Sequence, residues 1–480
     1  MSDAYFLAAE PLRIGNQVQL LADDWVIEDR WKLTRRVGRV TKYLKNPVLT
    51  QDRPWEDRAG CYPCVLHDAD TGRYRMWYTC FNVANYFNNK GPGYYIAYAE
   101  SEDGYTWTKP RLDGFPMAGH DKTNVVFTGP PGGWANASQV LLNPDSSNPT
   151  RRYLMVTVSR KAIELAASPD GLHWVREPVL MPFKSDFPNH LVWDEERALW
   201  LLYLRPPMRA TGTRDLPEGH RHERRRLAVC ASRNLRDWSM PRTCLYPDER
   251  SQPDYDMVYV FRRHGLFIGL YAEMFQETGR SEVVTHLATS RDGLRWERTW
   301  DREPLIPRGQ PGSYDAGQVE PGLSPPIDMG SEMLFYYYAS PSGQHDWGGD
   351  ESVALCRLRR DRFMGQEAGE ATGYLLTRQF VLEGSRLTIN CSSPPLPYMK
   401  AGDGIRVAVV EAPLWEDMQA HNDRPVAGLT LEDCDPILTD DLEHVVTWRG
   451  SPDLGKVRGK PVYLRFQMRR ASLFGFQVLP

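Results

Sequence analysis

Seven carboxylates recur at one kind of place in this 480-residue chain: Glu56, Asp57, Asp186, Asp254, Asp256, Asp315 and Glu320 stand just before or at the start of strand-like runs. Those runs begin near Cys61, Gln139, Leu191, Met257 and Leu323, about 60 residues apart, and the second offers Asn136 in place of an acid. Carboxylates crowded together do not all ionise at the same pH, because like-charge repulsion raises the pKa of one while its neighbour stays ionised. A protonated and an ionised carboxyl side by side are what the cleavage of a glycosidic bond requires. On this reading Asp186, Asp256, Glu320 and Glu56 are the expected catalytic groups. Asp57 competes with Glu56, since the register of PWEDRAG is open, and Asp254 is expected to face away from Asp256, because side chains alternate along a strand.

Other residues at these places suit a polyol. Amides and acids take hydroxyls and rings cover apolar sugar faces, so Asp57, Trp134, Asn136, Asn189 and His190 are expected to contact substrate. Arg205 and Arg209 in YLRPPMR carry the rigid donor fork that holds a carboxylate or phosphate, and His345 in HDWGG joins them from a later loop.

The elements that bring such distant residues together are written as a repeat. YAESEDGYTW, ELAASPDGLHW, AVCASRNLRDW and HLATSRDGLRW share a strand-like run, an Asp or Asn turn and a tryptophan, and VALCRLRRDRF is a degenerate fifth copy. The turn residues Asp103, Asp170, Asn234, Asp292 and Asp361 are separated by 67, 64, 58 and 69 residues. Asp and Asn bond their own backbone in turns and Gly tolerates positive φ, so each copy reads as a hairpin. Two further strand-like runs precede each copy, which makes a four-stranded unit. Five such units bury their faces by stacking around an axis, whereas solenoid repeats run to only about 20–45 residues.

The expected fold is therefore all-β: a five-bladed β-propeller over residues 1–370, with first strands around the axis, followed by a β-sandwich over 371–480. VQLLADDWVIED at 18–29 is expected to close the last blade, and the repeated tryptophans to pack between blades. In the sandwich, Trp415, Trp448, Phe466, Phe474 and Phe476 are expected to fill the core.

Composition narrows the partners. A net charge of −4 gives no general attraction for a polyanion, so nucleic acid is not expected, and the basic run RDLPEGHRHERRR at 214–226 reads as a solvated loop. No window is apolar enough for a membrane helix, and MSDAYFLAAEPLRIG lacks a secretory pattern; a cytoplasmic chain is expected. Eight cysteines are too sparse for a disulfide scaffold, and CYPC would send its thiols to opposite faces. No cofactor or catalytic metal is expected; an axial Ca²⁺ in a structural role is compatible with carboxylates and carbonyls. The oligomeric state stays open.

The turn-tryptophan series, RMWY at 75–78, LADDWVIED and LRRDRF, with YLRFQMRRASLFGF near the chain end, resemble the superfamily of family 32 and family 43 glycoside hydrolases, specifically bacterial proteins with a family 32 N-terminal-like domain. The resemblance implies a five-bladed propeller with a sandwich, and a carbohydrate substrate handled by three acids, for which Asp186, Asp256 and Glu320 are the matching positions. The Asn-Asp-Pro-Asn-Gly stretch of the fructosidases is absent, as are a clear Arg-Asp-Pro and the Glu-Cys pair. A glycoside phosphorylase of similar fold and a non-catalytic glycan-binding propeller are the alternatives.

Overall fold

The computed structural model describes residues 11–88, 91–129, 134–145, 147–183, 185, 188–206, 225–246, 254–275, 281–298, 302–344, 350–394, 398–411 and 424–480. The chain is nearly all β; among the described residues the α-helical segment is Val83–Asn88. It divides into two compact units, residues 40–357 and residues 1–39 together with 358–480.

The larger unit is a succession of five antiparallel meanders. The first joins Arg58–Asp68, Arg73–Phe81, Tyr94–Ser101 and Val125–Thr128; the second, Asn136–Leu142, Tyr153–Val158, Ile163–Ser168 and Val175–Arg176; the third, His190–Asp194, Leu199–Leu204, Leu227–Ser232 and Arg242–Leu245. The fourth runs Asp254–Arg263, Leu266–Phe275, Glu282–Ser290 and Glu297–Arg298, and one parallel bridge, Val283 to Gln318, links it to the fifth, Gln318–Pro321, Glu332–Ser340 and Ser352–Arg359. Middle strands such as YLMVTV are buried on both faces, the pattern of sheets covered from either side.

Neighbouring sheets are stitched together near their first strands. Val140 N–H donates to the Cys64 thiol sulfur at 3.2 Å, Leu191 N–H to Gln139 Oε1 at 2.7 Å, and Val260 N–H to His190 Nε2 at 2.9 Å. Thr285 Oγ1 donates to the Val319 carbonyl at 2.9 Å, and Leu323 N–H returns to the Pro63 carbonyl of the first sheet at 2.7 Å. The series closes on itself.

The repeated turn proves to be a joint between sheets. In four copies a serine hydroxyl two residues upstream donates to Oδ1 of the turn residue: Ser101 to Asp103, Ser168 to Asp170, Ser232 to Asn234 and Ser290 to Asp292. The same oxygen accepts the backbone N–H groups two and three residues downstream, at 2.7–2.9 Å. Three copies then place a glycine whose carbonyl accepts from an aromatic side chain of the preceding sheet's second strand. Tyr336 donates to Gly104 at 2.6 Å, Trp77 to Gly171 at 2.8 Å and Tyr203 to Gly293 at 3.1 Å. The motif tryptophans serve the same joints, Trp107 lying edge-on to Tyr336 and Trp296 to Tyr203.

The N-terminal segment corrects the expected strand exchange. Gln19–Leu20 pairs with Ala471–Leu479, and Ile27–Trp31 with Gly373–Thr377, so residues 18–29 do not close the fifth sheet. That edge is taken by Thr41–Lys42 and Leu49–Thr50, which pair with Ser352–Arg359. The physical reason is burial: its apolar members Leu21, Val26 and Ile27 enter the core of the smaller unit.

The smaller unit contains one six-stranded and one five-stranded sheet. Leu473, Phe476 and Val478 of the first and Val407, Leu464 and Phe466 of the second share one apolar cluster, with Phe466 and Phe476 ring centroids 6.2 Å apart. Trp448 belongs to the same core, its Nε1 donating to the Val407 carbonyl at 2.8 Å. Phe474 is half-buried under the Arg362 guanidinium, and Trp415 lies outside the described residues.

Candidate active site

The fourth sheet's first strand opens with a bulge between Tyr255 and Met257. Bulges re-aim side chains, and here Asp254 and Asp256 both serve one arginine rather than opposite faces. Asp254 Oδ1 accepts the Arg225 backbone N–H at 2.7 Å, and the buried Asp256 carboxylate forms an ion pair with the Arg225 guanidinium. Arg205, following the third sheet's second strand, brings Nη2 to 3.5 Å from the Asp256 carbonyl.

Glu320 lies on the fifth sheet's first strand and is 0% exposed. Gln318, two residues earlier on the same strand face, donates from Nε2 to Glu320 Oε1 and also to Gln344 Oε1. Glu320 Oε2 makes no hydrogen bond to any described residue. Burial raises its pKa to about 7, the Gln318 hydrogen bond and the Arg225 charge oppose the rise, and the charge of Glu351 adds to it.

Glu351 precedes the fifth sheet's third strand. Its Oε2 accepts from the Cys61 thiol at 2.7 Å, and Arg58 Nη1 stands 3.5 Å from Oε1. Burial pushes the Glu351 carboxyl above its usual range against hydrogen bonds from Cys61 and Tyr338. Burial, then Glu351 and Glu320, push the Cys61 thiol well above its ordinary value, so it stays protonated and donates.

The structure therefore brings together Asp256, Glu320 and Arg205 of the expected residues, and adds Arg225, Gln318, Glu351 and Cys61. Arg225 and Arg226 close the basic run that reads as a solvated loop; that reading is corrected for these two, both largely buried. Glu351 stands two residues beyond HDWGG, where only its position before a strand could mark it. Asn136, at the start of the second sheet's first strand, likewise has an Oδ1 buried without a hydrogen bond.

Other expected residues are held by the protein itself. Glu56 is buried, with Oε2 accepting from Lys109 Nζ at 2.7 Å and Oε1 from the Tyr78 hydroxyl at 2.6 Å. Asp52 and Arg53 N–H groups also reach Oε2, so its lone pairs serve a buried network. Asp57 is exposed and accepts the Val83 N–H at the start of the helix, at 3.0 Å. Asp315 is pinned by Lys42, Ser313 and Tyr337.

His190 is fully buried between the third and fourth sheets. Its Nε2 accepts from Val260, its ring lies against Tyr203 and Tyr259, and burial lowers its pKa to about 3 against the Pro188 carbonyl. Trp134 stacks on Tyr86 with ring centroids 5.1 Å apart, beneath the Arg160 guanidinium. Asn189 is fully buried and exchanges hydrogen bonds with Ser185. Asp186, Arg209 and His345 lie outside the described residues. Among the described residues, no group of three or more His, Cys, Asp or Glu is placed to hold a metal ion, and no helix is long and apolar enough to cross a membrane.

Chemically, the cluster holds one carboxylate in an ion pair, one carboxyl that keeps its proton near neutrality with an oxygen free, and a second raised carboxyl behind it. Carboxyl groups whose environments differ in this way suit acid and base roles in one reaction.

No protein-family profile matches the chain, and no curated protein matches it. Among solved structures, an N-acetylgalactosamine deacetylase from F. plautii in complex with blood group B trisaccharide is 15% identical, with a TM-score of 0.46 over 69% of this chain and 96% of that one. A structure from the GH130 family of mannoside phosphorylases, which contains glycoside hydrolases targeting β-1,2-mannosidic linkages in Candida mannan, is 13% identical, with a TM-score of 0.47 over 72% of this chain and 97% of that one. The catalytic domain of a GH62 α-L-arabinofuranosidase from Coprinopsis cinerea is 12% identical, with a TM-score of 0.46 over 67% of this chain and 97% of that one. At such values the chain's own geometry must carry any reading of its chemistry.

Proposed function

We propose that the chain is a glycoside hydrolase: a five-bladed propeller, with a β-sandwich in its second unit, that breaks a glycosidic bond at the Asp256, Glu320 and Glu351 cluster. Five meanders joined each to the next by hydrogen bonds in a closed series support the propeller. The observation that carries the activity is Glu320, a fully buried carboxyl with a pKa of about 7 and a free oxygen, beside an Asp256 carboxylate already paired with Arg225.

In this reading Glu320 gives its proton to the departing glycosidic oxygen, which needs a carboxyl still protonated at working pH. Asp256 stays ionised and stabilises the positive charge that develops at the anomeric carbon, and Asp186 is the candidate to activate water or attack that carbon. Arg225 fixes Asp256 and holds Glu320 below the value burial alone would give it, while Gln318 orients the proton-bearing group. Asn136 and Arg205 are the proposed hydroxyl contacts.

A broad glycan panel with product detection tests this. Glu320→Gln and Asp256→Asn should each lower the rate at least ~100-fold, the scale of a lost acid–base group, while glycan binding persists. Product formation unchanged in both variants overturns the assignment. Bound glycan left intact by the wild type makes the chain a glycan-binding protein instead.

The presence of Arg205 and Arg225 beside Asp256 favours one second reading, a glycoside phosphorylase, because guanidinium groups hold phosphate well. Sugar 1-phosphate formed only when inorganic phosphate is present would establish it; turnover independent of phosphate would remove it.

A further inference from the structure

The fourth and fifth sheets enclose a second feature that the reaction proposed above does not use. A cavity of about 770 Å³ lies between them, within the size range of small-molecule sites. Its lining comes from the end of the fourth sheet's second strand, the start of the third, the segment 302–312 that leads to the fifth sheet, and the residues before Gln318 and Gln344. In an antiparallel meander those strand positions share an edge with the start of the first strand, where Asp256 lies.

Gln318 and Gln344 connect the lining to Glu320. Gly317 and Gly343 line the cavity, while the side chains of the next residue in each case bond to each other, and Gln318 bonds onward to Glu320. Bare backbone is enforced at Gly317, where a Cβ would stand 2.3 Å from the Ser342 carbonyl carbon.

The chemistry of the lining selects the ligand. Arg308 is paired with Glu282 at 2.8 Å and Arg302 stands 3.6 Å from Glu273. Among the described lining residues each guanidinium thus stands beside a carboxylate, which leaves less positive charge to attract a phosphate or uronate. His286 on the floor is buried, stacked on Tyr271, and held neutral by burial and by Arg302, with a pKa of about 4. Glu273 Oε2 lies 3.3 Å from Nε2 and the Glu303 backbone opposes the lowering of the His286 pKa, but neither ring nitrogen has a hydrogen bond that meets both distance and angle. A neutral imidazole has one donor and one acceptor, which matches a hydroxyl group. Pro304, Pro307, Pro341 and Phe275 add apolar walls.

We propose that this cavity binds the further units of an uncharged oligosaccharide whose scissile bond lies at Glu320, and so sets the chain-length preference of the enzyme. The proposal rests on the glycan-active reading above. Its test is chosen to fail separately from that reading.

Calorimetry on the full chain carrying Glu320→Gln uses neutral trisaccharides of glucose, mannose, xylose and arabinose, the corresponding monosaccharides, and trigalacturonate as the charged control. At least one neutral trisaccharide should bind at least tenfold more tightly than its monosaccharide and than trigalacturonate. Ser342→Phe, which fills the cavity, and His286→Phe, which keeps the ring shape without its nitrogens, should each abolish that advantage and leave monosaccharide affinity within twofold. Thermal unfolding identifies any variant that has lost its fold, and the other then decides. Trisaccharide affinity unchanged in a folded variant overturns the proposal, as does a preference for trigalacturonate or no trisaccharide binding at millimolar concentration. None of these binding results depends on turnover, so a chain that releases no product can still uphold or refute the cavity.

Discussion

The Cys61 thiol donates to the Glu351 carboxylate at 2.7 Å, joining the first sheet to the fifth behind Glu320. Both groups are buried, and burial favours the protonated form of each. Cys61→Ala removes one of the donors to a buried carboxyl and is expected to destabilise the chain by roughly 1 kcal/mol; Cys61→Ser should restore most of that loss. Chemical denaturation of the three proteins checks the order. The native thiol should also resist alkylation at pH 8 until the protein unfolds, because the thiolate is the reactive form.

Glu320 gives the activity an alkaline limb. Its folded pKa of about 7 exceeds the ordinary value of 4.5, so the folded chain holds a proton that the unfolded chain has lost between those values. Its stabilising contribution is complete below pH 4.5 and disappears as pH rises through 7, a change on the order of 3 kcal/mol. Turnover should fall above pH 7. In Glu320→Gln the stability decline across this window should flatten by that amount, as measured by denaturation at a series of pH values.

Arg225 acts on both acids, with opposite consequences for each observable. Arg225→Met strands the Asp256 carboxylate in a buried place and should cost about 3–5 kcal/mol of stability. The same change removes a charge that lowers the Glu320 pKa, so the alkaline limb should move to higher pH. A pH–rate profile in which the limb stays fixed or moves down would dissociate Arg225 from Glu320.

The glycine of the repeated turn has a steric reason that can be tested directly. Gly171 has φ of +74°, and a Cβ there would lie 2.7 Å from the Trp77 ring. Gly171→Ala should destabilise by roughly 1–3 kcal/mol, and Asp170→Ala, which removes the acceptor of two backbone N–H groups and the Ser168 hydroxyl, by about 1–2 kcal/mol. Thermal melts of the two single variants measure both.

What the sequence makes legible follows from this difference in range. The turn is local: Ser168, Asp170 and Gly171 lie within four positions, so their chemistry is readable from spacing and repeats at the same distance from each strand. Asp256 and Glu320 are readable as a pair because each sits at the start of a first strand. Arg225 is not, since a run of basic residues reads as solvated until an acid 31 residues later in the chain comes to meet it. Glu56 fails in the other direction. Its position suits a site, but Lys109, 53 residues away, takes its charge. The strand at 27–31 carries no pattern that assigns it to either sheet system, and only the partner strand Gly373–Thr377 decides between them.

That partnership makes the N-terminal segment part of the smaller unit's core. Leu12, Ile14, Leu21, Val26 and Ile27 are buried there with Leu375, Phe380 and Phe476. Leu33–Val37 also pairs with Met364–Ala368, and Gln366 Nε2 donates to the Leu21 carbonyl at 3.2 Å. Five buried aliphatic side chains at about 1.5–3 kcal/mol each represent roughly 10 kcal/mol of burial, comparable with the whole stability of a typical domain. A chain beginning at Val40 should therefore expose apolar surface in its smaller unit, seen as dye binding and an early melting transition. Residues 358–480 alone should not give a cooperative melt, and adding a peptide of residues 11–39 should restore one. A cooperative melt of 358–480 without that peptide would show that the N-terminal strands decorate a core complete without them.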